Sequence, residues 1–521
     1  MLSHVSSLPG PYGIGKLGEE ARRFVDFLAG AGCRYWQICP VGPTGYGDSP
    51  YQSFSSFAGN PYFIDFEPLI KAGYLESEAL EPLRALEPRL VDYGALYEQM
   101  WDLLAMAHRA YLAAPDRLGA LESLEAFRAR NAAWVEGFGV FMALKKAHGG
   151  AAWQTWEQPY RDGPGAFKQL DPTVREEAER HVFYQYLFDT QWTALRAYAA
   201  ERGVEIIGDL PIFVAMDSAD TWQDRGVFRL DRSGRPDVVS GVPPDYFSEK
   251  GQLWGNPLYD WDGLKADGYG WWMRRLERIF ALYDVIRLDH FRAFDSYWEV
   301  PAGSPDACHG QWRAGPGLHF FHTLRRRLPM ARIIAEDLGY ITEGVVRLRQ
   351  EAGLPGMKIL QFSYGHDDNN VNLPHFHHQD AVVYTGTHDN DTTRGWLEHL
   401  GPGTRSRVQA YYKLEGSSAM PIVEAAMASV ARLAVIPVQD LLDLGSEARF
   451  NLPGSGHGNW RWRLTEAELG ELSQRVAPMV HRLNDLYDRF GDDRQREYSA
   501  PPAAVESEPP AQSTYAEATR A

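Results

Sequence analysis

Short apolar runs, each closed by a turn or a polar residue and followed by a stretch of helix length, recur along this chain from its first residues to about position 440. They fall at 2–10, 35–41, 203–213, 283–289, 332–336, 357–362, 382–385 and 433–438. A run that stays apolar without alternating reads as a strand buried on both faces, the hallmark of a parallel sheet. Between the first two runs, Ala21, Phe24, Val25, Phe27 and Leu28 recur at helical spacing, and Gly30 ends the pattern. The span 65–200 is predicted to be mostly helical, with helix formers over Glu76–Leu86, Leu96–Ala114, Ala120–His148 and Val174–Glu201 and Pro or Gly between them. Eight strand-then-helix units predict an α/β fold, a closed (β/α)8 barrel, with an open doubly wound sheet as the alternative. The organisation expected is a catalytic barrel over 1–490, interrupted by the helical insertion at 65–200 and by a long cleft-covering loop at 214–260. Residues 491–521, rich in Ala, Pro, Glu and Ser without periodicity, read as a disordered tail.

Acids stand where these runs stop. In Tyr283-Asp-Val-Ile-Arg-Leu-Asp289, Arg287 and Asp289 lie two apart, so on a strand both face the same side. A guanidinium beside a carboxylate is expected to hold it ionised, the state a carboxylate nucleophile needs. Glu336 ends the run at 332, Asp389 follows the run at 382, and Asp209 and Asp440 end two others. In a barrel these ends form the active-site face. The loop Gly42–Gln52 after the second run carries Tyr46, Ser49 and Tyr51 among Gly and Pro, a candidate wall for a planar or sugar-like ligand.

Composition narrows the partner. Lys and Arg number 52 against 69 Asp and Glu, a net charge of −17, which argues against nucleic acid. There is no run of about 18 apolar residues to suggest a membrane partner. Three cysteines in no motif point to a reduced, cytoplasmic compartment. The 16 Trp, 26 Tyr and 24 Phe include many in Gly-, Pro- and Asp-rich loops, where rings often serve a ligand. Two chemistries remain open for the acid cluster. One is a metal site using His290, His388, Asp389 and Asp391, against which Arg287 and Arg292 would repel a cation. The other is glycoside chemistry, in which two carboxyl groups flank the scissile bond.

Five ordered motifs carry a resemblance: Gly42-Pro-Thr-Gly-Tyr-Gly-Asp-Ser-Pro-Tyr51, Gly208-Asp-Leu-Pro-Ile-Phe-Val214, Arg287-Leu-Asp-His-Phe-Arg292, Ala335-Glu-Asp-Leu-Gly339 and Thr387-His-Asp-Asn-Asp391. With Pro243-Pro-Asp-Tyr-Phe247 over the cleft, the chain from about 2 to 488 resembles the amylomaltases, the 4-α-glucanotransferases of glycoside hydrolase family 77. The resemblance implies Asp289 as nucleophile, Glu336 as acid/base and Asp389 as transition-state stabiliser. It further implies that Tyr51, Asp209, Arg287, His290, His388 and Trp254 line the subsites, joined by Phe247, Asp245, Tyr46 and Ser49. It implies no organic cofactor and no essential metal. The partners it implies are α-1,4-glucans and maltooligosaccharides as donor and acceptor, glucose as acceptor or product, and a monomer or weak homodimer. The chain begins inside its first strand, without the lead-in usual in that family. An α-amylase-type hydrolase, a metal-dependent hydrolase and a glucan-binding barrel without catalysis are the competing readings.

Overall fold

The computed structural model describes residues 1–490 apart from Tyr46, Gln169, 245–247 and 365–369. Its strands are β1 (Tyr35–Gln37), β2 (Glu205–Pro211), β3 (Val238–Val242), β4 (Gln252–Pro257), β5 (Val285–Asp289), β6 (Ser296–Pro301), β7 (Gln311–Ala314), β8 (Ile333–Ala335), β9 (Gly356–Ile359), β10 (Ala381–Tyr384) and β11 (Leu433–Val435). Parallel ladders join β1-β2-β5-β8 in one arc and β9-β10-β11 in another. The ladder does not run unbroken around a ring; both seams are spanned by isolated bonds. At one, the amide of Ala335 donates to Pro355 O at 2.9 Å, and the Asp337 carboxylate accepts the Met357 amide at 2.7 Å. At the other, the first predicted strand is reduced to Leu2, which bridges Gln37 on one side and Pro437 on the other.

Alternation explains what fills the space between the arcs. Ile207, Val285, Ile334, Met357, Ile359, Val382, Tyr384, Val435 and Leu2 form one buried cluster, with Tyr35 of β1 packed against it, so every strand of both arcs contributes. Their neighbours Ile206, Ile286 and Leu288 belong to the larger core outside. A period of two therefore puts Asp209, Arg287 and Asp289 on the inner side, directly above the apolar plug. Close packing on the outer side is strict at Gly208, where a Cβ would come within 2.1 Å of the Tyr283 ring.

The helical insertion clamps the loop that bears Tyr51. Its longest helix, Pro172–Glu201, is N-capped by Asp171, whose carboxylate accepts the Thr173 amide at 2.8 Å. Gln185 on that helix bonds both backbone groups of Gly59, at 2.7 and 2.8 Å. Gln191 does the same for Asp65, at 2.7 and 2.9 Å. The stretch predicted as one helix over Ala120–His148 is two, Leu124–Arg130 and Val135–Ala147. Asn131 makes the break, donating back to Phe127 O at 2.9 Å and accepting the Trp134 indole N–H at 3.1 Å.

The segment 214–260, expected to be a long loop, contains a short helix at Ala219–Gln223 and the strands β3 and β4. These join β6 and β7 in an antiparallel sheet of order β4-β3-β6-β7, which periodicity did not reveal.

Candidate active site

The β2–β5 ladder pairs Asp209 with Arg287. Arg287 Nη1 donates to both Asp209 oxygens, at 2.8 and 2.7 Å, and to Asp289 Oδ1 at 2.9 Å. Tyr51 closes the other side of Asp209, its hydroxyl donating to Oδ2 at 2.6 Å. On the next strand the register Leu288–Ala335 sets Asp289 beside Glu336. Neighbouring strands lie ~4.8 Å apart, so the two acids follow each other at adjacent inner positions, the backbone arrangement that a retaining pair with carboxyl groups ~5 Å apart calls for.

Glu336 is held by backbone. Oε2 accepts the His290 amide at 2.7 Å and Oε1 the Leu338 amide at 3.1 Å. His290 adopts φ 51°, the left-handed region, immediately after Asp289, and its amide serves the acid of the neighbouring strand. The His290 ring lies edge-on to Trp254 of β4, centroids 4.7 Å apart. Phe213 backs both rings.

Asp289 differs from the sequence expectation. Burial lifts Asp289 to about 6, against the pull of Arg287. The sequence expectation that Arg287 alone would hold Asp289 ionised is offset first by that burial and then by the charge of Asp209, which takes the same guanidinium nitrogen with both oxygens. Burial also lifts Glu336 well above the usual carboxylate range, with Arg287 opposing and Asp289 adding to the rise. Asp289, in contact with a cation and with 26% of its side chain open to the cleft, is the member of the pair that ionises first. Glu336 retains its proton longer because burial, with the charge of Asp289 beside it, outweighs the pull of Arg287 and of the His290 amide.

Asp389 is set in the opposite way. Its side chain is 43% exposed and lies 3.3 Å from His388 Nε2. Asn451 Nδ2 donates to its Oδ1 at 2.6 Å, and Arg449 donates to its carbonyl at 2.7 Å. Burial opposes its ionisation, but His388 and the Asn451 bond outweigh that and bring it down to about 2. His388 in turn is raised, burial being overcome by Asp389. Tyr51 stacks on His388 with centroids 5.2 Å apart and planes at 16°, and Trp460 packs against both. One site thus holds a carboxyl that keeps its proton, one poised near neutrality and one permanently ionised, a division that suits acid, nucleophile and charge-stabilising roles.

Asp289, Glu336, Asp389, Asp209, Arg287, Tyr51, His290, His388 and Trp254 are therefore linked by direct contacts or shared partners. Ser49 takes a supporting place, its hydroxyl accepting the Tyr51 amide at 3.3 Å. Tyr46, Asp245 and Phe247 lie outside the described residues. Asp440, grouped with the strand-end acids by sequence, does not join them. It is buried and accepts from Thr385 Oγ1 at 2.5 Å and from the Thr393 amide and hydroxyl at 2.7 Å, tying down the two ends of the Asp389 loop. Asp391 likewise turns away to Ser446 Oγ at 2.7 Å. Among the described residues no group of three His, Cys, Asp or Glu side chains is placed to hold a metal ion. Asn451, Arg449 and Trp460 were missed by sequence reasoning. Only Trp460, a ring in a Gly-, Ser- and Asn-rich stretch, carried the signal used elsewhere for loop aromatics.

The profile of the family described as 4-alpha-glucanotransferase, glycoside hydrolase family 77, matches residues 3–468. A 4-alpha-glucanotransferase of Thermus thermophilus is 50% identical over 499 residues, 93% of this chain and 98% of the relative. One from Streptococcus pneumoniae is 43% identical over 500 residues, 94% and 97% of the two chains. The solved structure of an amylomaltase from Streptococcus agalactiae in complex with acarbose superimposes with a TM-score of 0.89 at 36% identity, covering 94% of this chain and 98% of that one.

Proposed function

This chain belongs to the 4-alpha-glucanotransferases of glycoside hydrolase family 77, and we propose that it moves α-1,4-glucan segments between maltooligosaccharides by a retaining double displacement. In the first half, an Asp289 oxygen attacks the anomeric carbon as the bond from that carbon to the bridging oxygen breaks. Glu336 gives its proton to that oxygen, and the reducing-end fragment departs. In the second half, Glu336, now ionised, takes the proton of an acceptor 4-hydroxyl, whose oxygen displaces Asp289 from the anomeric carbon. Asp389 holds a full negative charge through the cycle, placed to bond the sugar's hydroxyls as positive charge develops on the ring.

The observation that carries this reading is the unequal environment of adjacent Asp289 and Glu336, one bonded directly to the Arg287 cation and the other raised well above the usual carboxylate range by its burial. Acarbose in the Streptococcus agalactiae amylomaltase supports a maltooligosaccharide-like ligand for a cleft of this kind. Transfer rather than hydrolysis requires that water compete poorly as acceptor, and the ring wall of Tyr51, Trp254 and Phe213 beside the acids serves that end. Glucose then acts as product and as acceptor.

The test is product analysis from maltotriose alone, with chelator present, for the parent and for Asp289→Asn. Glucose plus a ladder of longer maltooligosaccharides, lost in the variant, is the expected result. Glucose and maltose without a ladder would make the chain a hydrolase. A ladder that survives Asp289→Asn would remove Asp289 as the nucleophile.

A further inference from the structure

Two exposed aromatic side chains stand together outside the catalytic cluster. Trp312 on β7 is 38% exposed, and Tyr340, four residues past Glu336, is 65% exposed. Their rings are near parallel, planes at 22° with centroids 6.4 Å apart. They rest on a built support. The Arg292 guanidinium lies 3.9 Å from the Trp312 ring centre and 5.6 Å from that of Tyr340. Arg292 is itself buried; it donates to the Tyr340 carbonyl and, at 3.1 Å, to Ser296 Oγ. Behind Trp312, Trp298 packs edge-on at 5.1 Å, its indole N–H fixed on Ala307 O at 2.9 Å.

Two properties of this arrangement bear on what it takes. First, the rings are immobilised from the protein side while keeping area in water, a combination ordinary packing does not require. Second, the cation beneath them is buried, with N–H groups engaged by Tyr340 and Ser296, so what the platform presents to water is ring surface. A neutral ligand with flat C–H faces matches such a surface better than an anion, and a pyranose has that shape. The platform is also tied to the chemistry. Arg292 follows Asp289 by three residues, and Tyr340 follows Glu336 by four, at most ~14 Å of extended chain. The bond from Arg292 to the Tyr340 carbonyl links those two segments directly.

We propose that Trp312 and Tyr340 form an outlying stacking site for α-1,4-linked glucosyl units, several sugars from the bond broken. The proposal rests on the glucan-transfer reading and adds to it a site that favours long chains. Without the platform, a short oligosaccharide loses little and a long one loses a contact.

Trp312→Ala and Tyr340→Ala are each compared with the parent for maltotriose and maltoheptaose. The ratio of kcat/KM for maltoheptaose to that for maltotriose is expected to fall about three- to tenfold, the size of one aromatic contact. The same substitutions in an Asp289→Asn background are expected to weaken maltoheptaose binding by a similar factor in calorimetry, which reads the platform without turnover. An unchanged ratio and an unchanged Kd would overturn the proposal. So would a loss of kcat that is equal for both lengths, since the rings would then act through the Arg292 loop. Tyr340→Ala preserves the carbonyl that Arg292 bonds and carries the test if Trp312→Ala fails to fold. A parent that binds maltoheptaose through Trp312 yet forms no ladder would refute the transfer reading and leave the platform standing.

Discussion

Asn451→Ala isolates one hydrogen bond to a charged group at the candidate centre. Asn451 Nδ2 reaches Asp389 Oδ1 at 2.6 Å, while the Asn451 backbone amide separately holds the His388 carbonyl at 3.1 Å. Alanine removes the first bond and keeps the second. A bond to an ionised partner is worth about 1.5–3 kcal/mol. With 1.36 kcal/mol per decade, the whole of that loss at the transition state would lower kcat/KM by about 10- to 150-fold. The ionisation of Asp389 does not supply the effect at neutral pH. His388 remains as its partner, and a carboxyl rising from about 2 toward the ordinary range is still ionised at pH 7. The loss therefore reports placement of a charge, and it should fall mainly on kcat, because the Asn451 amide contacts Asp389 rather than Tyr51 or Trp254. The assay is the initial rate of glucose release from maltotriose at pH 7, with a melting curve to confirm an intact fold. Asn451→Asp should be worse, since a like charge 2.6 Å away raises Asp389 as well as misplacing it. A folded Asn451→Ala enzyme within twofold of the parent would refute the argument that this amide holds Asp389 in its working position.

The inner column of the site was legible because it depends on local rules. Arg287 and Asp289 sit at positions of one strand with a period of two, above Val285, and Ile334 precedes Glu336 in the same way on β8. What could not be read is whatever depends on a partner distant in the chain. The Arg287–Asp289 pair looks the same in the sequence whether or not it is buried and whether or not Asp209 shares the guanidinium, and burial first, then Asp209, raises Asp289. Asp440 and Glu336 both follow apolar runs. Asp440 is claimed by Thr385 and Thr393, from the neighbouring strand and its loop, and Glu336 by two amides that leave it facing Asp289. Asn451 lies in a stretch with no periodicity, 62 residues from the aspartate it serves. The antiparallel sheet escaped notice for a related reason. β3 and β4 flank a Pro- and Gly-containing segment that reads as loop, β6 begins only seven residues after β5 ends, and β6 and β7 offer short, mixed patterns. Pairing, not composition, makes these segments strands.

Two further predictions use protonation. Activity needs Asp289 ionised and Glu336 protonated, so kcat/KM should be bell-shaped in pH, with the acid limb of the pair near 6 and the basic limb above it. A profile flat from pH 5 to 8 would show that burial does not lift these acids. The second concerns stability. Burial lowers His4 to about 3 and His181 to about 4, from 6.5. Above 6.5 both folded and unfolded chains carry these rings neutral, and they add no pH dependence. As pH falls below that value the unfolded chain takes up protons that the folded chain cannot, so stability drops, and it goes on dropping until the folded values are reached. Each ring contributes a slope of about 1.4 kcal/mol per pH unit in that window. His181 is the cleaner probe, because it lies among Trp101, Phe138 and Tyr184, away from the acids of the site. His181→Phe, of similar size and unable to titrate, should flatten the decline of melting temperature between pH 6 and 4 relative to the parent. Parallel melting curves for the two proteins across that range would mean that His181 is charged in the folded state. Its 3.6 Å approach to Glu177 would then outweigh the burial that surrounds it.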